Sequence, residues 1–172
     1  MDIKKSVFQR ANIEDFPIIL DFLKEAALWL KQKGINYWQD WINPPDNFKC
    51  WIYDGVDNNQ FWLVLNKAET IGVFRLMYQD KLFWGERNDE TGYIHSLTTS
   101  RKHSGLGLGY YILRWIEEYC HIHGKDFLRL DCGEHLDRLV KYYREFGFNT
   151  FSNVVVNGEH LVLLEKRIRN VV

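Results

Sequence analysis

Apolar positions near the start of the chain recur with the helical period: Phe16, Ile19, Leu20, Leu23, Ala27 and Leu30 share one face. Asn12 stands where a helix cap belongs, and Gly34 can stop the helix in a left-handed turn. Ahead of it, Ser6 to Arg10 reads as a first strand. The segment Ile35 to Gly55 is dense in Trp, and Pro44-Pro45-Asp46 predicts a turn and cap for a short second helix around Phe48 to Tyr53. The rhythm then changes. Phe61 to Leu65 and Thr70 to Met77 are rich in β-formers, and the polar Asn66, Lys67 and Glu69 between them predict a hairpin. A polar turn over Gly85 to Glu90 leads to a strand from Thr91 to Thr99. The following helix carries Leu108, Tyr111, Ile112, Trp115, Ile116 and Tyr119 on one face and ends at Gly124. Phe127 to Asp131 predicts another strand, and Leu136, Leu139, Val140, Tyr143 and Phe146 a further helix closed by Gly147. Phe151 to Val156 and Leu161 to Glu165 then pair around the Asn157-Gly158 turn. The sum is a mixed α/β domain whose later half alternates strand and helix.

With 172 residues the chain fits one domain, 1–172, and can bury a sizeable core. Its 46% hydrophobic and 26% charged residues are ordinary for a globular protein, which excludes a disordered or fibrous class. The formal charge is -1, so nothing in the overall charge suggests nucleic acid or an anionic membrane as partner. A small-molecule partner is expected, with a homodimer left open. Cys50, Cys120 and Cys132 have no C-x-x-C spacing and read as thiols in a reducing, cytoplasmic setting, with no metal expected. The N-terminus lacks the apolar run of a secretory signal, and no stretch approaches the ~18 apolar residues of a membrane span.

The segment with most chemistry is Ser104-Gly105-Leu106-Gly107-Leu108-Gly109, between a strand and a strongly periodic helix. Glycines at a helix N-terminus make an anion site: unpaired backbone N–H groups and the positive dipole end converge, and no Cβ blocks a diphosphate. Tyr110 follows Gly109, so the segment lacks the Gly-Lys-Ser/Thr of a nucleotide-triphosphate loop and the last glycine of a dinucleotide fingerprint begun at Gly105.

These residues resemble the GNAT acetyltransferases, whose pattern is Q/R-x-x-G-x-G/A followed by paired aliphatics, here Ile112-Leu113. Tyr93 to Thr99 resembles the preceding strand of that family, and Tyr142-Tyr143-Arg144-Glu145-Phe146-Gly147-Phe148 its Y-E-K-L-G-F segment. Ser104 stands where Gln or Arg is usual and Leu136 where many members have Asn. The shifted frame Lys102-His103-Ser104-Gly105-Leu106-Gly107 restores a basic first residue but loses the aliphatic pair. The resemblance covers Thr91 to Arg167. It implies an α/β (α+β) fold with a mostly antiparallel central sheet of about six to seven strands and about four helices. It also implies acetyl-CoA as co-substrate, held by Leu97, Thr98, Thr99, Ser104, Gly105, Leu106, Gly107, Leu108, Gly109 and Tyr110.

The implied reaction is acetyl transfer to a primary amine, small or peptidic, by direct attack in a ternary complex. An amine with a pKa of ~10.4 is protonated at neutral pH, and exposing its lone pair costs about 4–5 kcal/mol, so a base or water relay is expected. The resemblance places a histidine base at His95, with Glu90 as competitor. Strand alternation would put Tyr93, His95 and Leu97 on one face. The leaving thiolate needs a donor, which the family pattern assigns to Tyr143, with Tyr142 as fallback. The family's carbonyl donor is a backbone N–H on the strand before the glycines, here Leu97 or Thr99, which would require a bulge. Trp29, Trp38, Trp41 and Trp51 read either as an acceptor wall or as core. An acyl-CoA sensor without turnover and a protein-interaction domain remain the two alternatives.

Overall fold

The computed structural model describes residues 1–168, so the last four residues of the expected domain lie outside the described residues. Among the described residues seven strands form one sheet: β1 (Val7–Arg10), β2 (Phe61–Asn66), β3 (Glu69–Met77), β4 (Thr91–Thr99), β5 (Phe127–Gly133), β6 (Asn149–Val156) and β7 (Glu159–Arg167). Their order is β1-β2-β3-β4-β5-β7-β6. The β1–β2, β2–β3, β5–β7 and β6–β7 pairs are antiparallel and β4–β5 is parallel. Five α-helices accompany them among the described residues: α1 (Phe16–Gln32), α2 (Asp46–Asp57), α3 (Lys81–Trp84), α4 (Leu108–Ile122) and α5 (Asp137–Glu145). The chain divides into two compact units, 1–75 with 96–111, and 76–95 with 112–172.

In the first unit, Asn12 begins the helical segment as expected. Its side chain accepts from Glu14 N–H at 2.8 Å, and Asp15 accepts from Asn12 N–H at 2.9 Å, a reciprocal cap on the 3-10 turn leading into α1. Gly34, at φ 72°, ends α1 by letting Ile35 N–H reach back to Leu30 C=O. Ile19, Leu23 and Ala27 then bury against Ile52 and Val56 of α2 and Phe61, Leu63 and Val73 of the hairpin. Trp41 lies inside this core, with Trp38 and Trp51 packed against it. The Arg75 guanidinium covers the Trp51 ring at 3.7 Å, and that of Arg101 covers Trp29 at 4.2 Å. Three of the four tryptophans therefore belong to the core, and the fourth carries a cation of its own chain. Arg75 is itself 1% exposed and donates to Gln60, Asp54 and the Trp51 carbonyl.

In the second unit, Leu128 and Leu130 of β5 and Leu163 and Leu164 of β7 are buried, as are Val140 and Tyr143 of α5 and Phe146 at its C-cap. The four-residue α3 is an addition to the expected elements. A single turn is too short to display a helical period, but Asp80 caps it, accepting from Phe83 N–H at 3.4 Å.

Candidate active site

Burial along β4 changes character at His95. Thr91 to Ile94 are buried, whereas His95, Ser96 and Leu97 are half-buried. Ser96 is left-handed, at φ 54°. A residue with a side chain adopts that conformation inside a strand only where the surroundings impose it. Ser96 stands between His95 and Leu97 of the expected alternation. The β4–β5 ladder pairs Thr91 to Tyr93 with Phe127 to Arg129, while β5 keeps its partnership with β7 as far as Gly133.

His95 sits between two carboxylates. Its Nε2 is 2.9 Å from Asp80 Oδ2 and its Nδ1 is 3.7 Å from Asp131 Oδ1; the three side chains are 10%, 4% and 10% exposed. A neutral ring that donates Nε2–H to Asp80 turns the acceptor nitrogen, Nδ1, toward Asp131. Phe83 packs on the ring at a centroid distance of 5.4 Å, so the imidazole is clamped by α3 through both the cap residue and the helix. Asp131 Oδ1 is buried and has no hydrogen-bond partner. Burial pushes the Asp131 carboxyl up to about 6; Asp80 and Glu159 add to the effect and His95 opposes it. Two residues earlier on β5, Arg129 is equally buried but saturated, donating to Asp89, Glu165 and the Tyr93 hydroxyl. Glu90, the competing base, is largely exposed and paired with Lys125.

Among the described residues, Asp80, His95 and Asp131 also form a group that could hold a metal, with one donor atom of each within 4.8 Å of the others. One imidazole and two carboxylates suit first-row divalent ions. Neither aspartate was singled out from sequence. The signal for Asp131 was a charged residue alternating with Arg129 on an otherwise apolar strand; that for Asp80 was a cap residue before a helix too short to recognise.

Tyr143 is buried on α5, edge-on to Tyr142 at 5.5 Å and to Phe148 at 5.9 Å. It belongs to the same unit as His95. Leu136 occupies the N-cap of α5 without a side-chain hydrogen bond, its carbonyl accepting from Leu139 and Val140.

The glycine segment lies in the other unit. A 3-10 turn, Arg101–His103, precedes it, and Gly105 and Gly107 are left-handed at φ 83° and 72°, each facing open space where a Cβ would stand. Gly107 C=O accepts from Tyr111 N–H at 3.0 Å, closing the first turn of α4, and Gly109 lies within that turn. Leu108, Gly109 and Tyr110 are therefore the first-turn residues of a long helix, whose backbone N–H groups point toward its N-terminal end. Thr98 is 4% exposed and its Oγ1 makes no hydrogen bond, while Leu97 and Thr99 are half-buried. Among the described residues no helix is long and apolar enough to cross a membrane.

Comparison with known proteins shows the family. The model of the acetyltransferase (GNAT) family matches residues 22–148. The N-acetyltransferase YesJ of Bacillus subtilis, itself uncharacterised, is 31% identical over 163 residues, covering 92% of this chain and 88% of its own. A GNAT-family acetyltransferase of Listeria monocytogenes superposes with a TM-score of 0.78 at 24% identity, covering 94% of each chain. The PaiA N-acetyltransferase of Thermoplasma acidophilum, solved in complex with coenzyme A, superposes with a TM-score of 0.70 at 16% identity over 94% of this chain and 98% of its own. A family match across most of the sequence and a relative at this identity and coverage make this chain a member of the GNAT acetyltransferase family.

Proposed function

We propose that this chain, acting as a single domain, transfers the acetyl group of acetyl-CoA to a primary amine by direct attack, with His95 as base and Tyr143 as donor to the leaving thiolate. The observation that carries the reading is the clamped imidazole: Asp80 engages Nε2 at 2.9 Å, which fixes the ring and stabilises the imidazolium formed when Nδ1 takes a proton. The ammonium N–H bond breaks toward His95, the freed nitrogen lone pair adds to the thioester carbonyl, the C–S bond breaks with its electrons on sulfur, and the second nitrogen proton ends on that thiolate, giving the amide and free coenzyme A thiol. A tyrosine of pKa ~10 facing a thiolate of ~8.5 contributes chiefly a hydrogen bond, since complete transfer is uphill by about 2 kcal/mol.

For the cofactor, the reading assigns the diphosphate to the N–H groups over Ser104 to Tyr110, and the thioester arm to Leu97, Thr98 and Thr99. Two left-handed glycines with open space around them and the first turn of α4 support this assignment. So does the family membership, together with coenzyme A in the PaiA complex. Titration with acetyl-CoA tests it. The wild type should bind saturably, and Gly107→Asp should not, because a carboxylate would occupy the anion site; circular dichroism should show that variant folded. Failure of the wild type to bind acetyl-CoA would overturn the proposal.

A further inference from the structure

A deeply buried charge in this protein is normally answered by fixed partners. Arg75 has Gln60, Asp54 and a carbonyl; Arg129 has Asp89, Glu165 and the Tyr93 hydroxyl. Asp131 breaks the pattern. Its side chain is nine-tenths buried, its Oδ1 has no hydrogen bond, and among the described residues no lysine or arginine pairs with it; the charged groups that act on it are His95, and Asp80 and Glu159 of its own sign. A buried carboxylate oxygen without a donor is costly, and such a group persists where a ligand completes it.

The geometry points to the ligand. With Nε2 committed to Asp80, His95 Nδ1 and Asp131 Oδ1 face each other at 3.7 Å as two acceptors. A species with at least two hydrogens on one atom bridges such a pair. A divalent ion could draw on one donor atom each of Asp80, His95 and Asp131, but it would have to displace Asp80 from His95 Nε2 and from Phe83 N–H. A primary ammonium supplies three N–H donors and the positive charge the two aspartates call for.

We infer that the acceptor is a cationic alkylamine whose ammonium docks between Asp131 Oδ1 and His95 Nδ1, Asp131 setting the preference for charged over neutral amines. The inference rests on the proposed role of His95. It adds that the proton leaves along the hydrogen bond to Nδ1 while Asp131 holds the nitrogen in place. One N–H bond breaks and one forms on the imidazole, whose new charge lies between two carboxylates.

The test uses two readouts on the intact chain. In long-range proton–nitrogen spectra, n-butylammonium chloride should shift the His95 ring nitrogens, identified by their loss in His95→Gln, whereas tetramethylammonium, of the same charge but without N–H, should not. In turnover with acetyl-CoA, 2-phenylethylamine should be favoured over its neutral isomer 4-ethylaniline. Asp131→Asn should cut that preference by about tenfold or more, the effect of removing a hydrogen bond to a charged group, and do so through KM for the cationic amine. Equal shifts by both ammonium ions, or a preference unchanged in Asp131→Asn, overturn the inference and leave acetyl transfer standing. A His95 response to zinc chloride but not to butylammonium overturns it in favour of a metal site. Butylammonium binding without acetylation of any amine would instead uphold the cation site and sink the transferase reading. Should Asp131→Asn fail to fold, the comparison of the two ammonium ions on the wild type decides.

Discussion

Replacing Asp131 by Asn should stabilise the protein while impairing it. Burial raises the Asp131 carboxyl from its ordinary 3.8 to about 6. At 1.36 kcal/mol per pH unit, that gap corresponds to about 3 kcal/mol of cost for carrying the charge at neutral pH. The sign follows from proton counting. Between pH 3.8 and about 6 the folded chain holds a proton on Asp131 that the unfolded chain has released, so stability falls as pH rises through this window and stays lower above it. Asn has nearly the same shape, carries no charge, and its amide can donate to His95 Nδ1 at the 3.7 Å position. Asp131→Asn should therefore exceed the wild type by about 1–3 kcal/mol at pH 8, or about 3–10 °C in Tm for a chain of this size, with the gap closing toward pH 4. Urea unfolding of both proteins at half-unit pH intervals measures it. A variant no more stable at pH 8, or a difference that does not change with pH, would refute the reasoning, because the cost would then not come from a buried charge.

The remaining predictions concern single side chains. Tyr143→Phe keeps the ring that packs on Tyr142 and Phe148 and removes only the hydroxyl, so kcat should fall about 10–100-fold with acetyl-CoA affinity unchanged; stopped-flow binding beside steady-state rates separates the two. Cys50 is exposed, whereas burial pushes the Cys120 and Cys132 thiols up to about 12. A disulfide reagent at pH 8 should accordingly modify only Cys50 in the folded protein and all three cysteines after denaturation, by mass spectrometry.

The elements that the sequence revealed are those with many repeats of a period. α1 and α4 show several turns of apolar spacing, the limits of β4 match the β-forming run, and Gly34, Gly124 and Gly147 stop their helices with positive φ. What escaped was made by tertiary context. The turn α3 has too few residues to show a period, yet through Asp80 and Phe83 it fixes the histidine. The left-handed Ser96 violates the local preference of its own residue type, which no propensity could signal. Asp131 read as the end of a strand because nothing in a sequence tells a carboxylate at a solvent edge from one buried beside His95. The tryptophans of the N-terminal half were ambiguous for a related reason: an aromatic looks the same whether it fills a core, as Trp41 does, or lies under a guanidinium, as Trp29 does.

The most direct test of the account is coenzyme A release from acetyl-CoA in the presence of a panel of primary amines, followed across pH for the wild type and His95→Gln. Acetyl transfer with His95 as base predicts amine-dependent release whose rate rises with pH through a single limb. His95→Gln should be slower by about 10²–10⁴-fold and lack that limb, with acetyl-CoA binding retained. A variant with the parental rate and pH profile would contradict it.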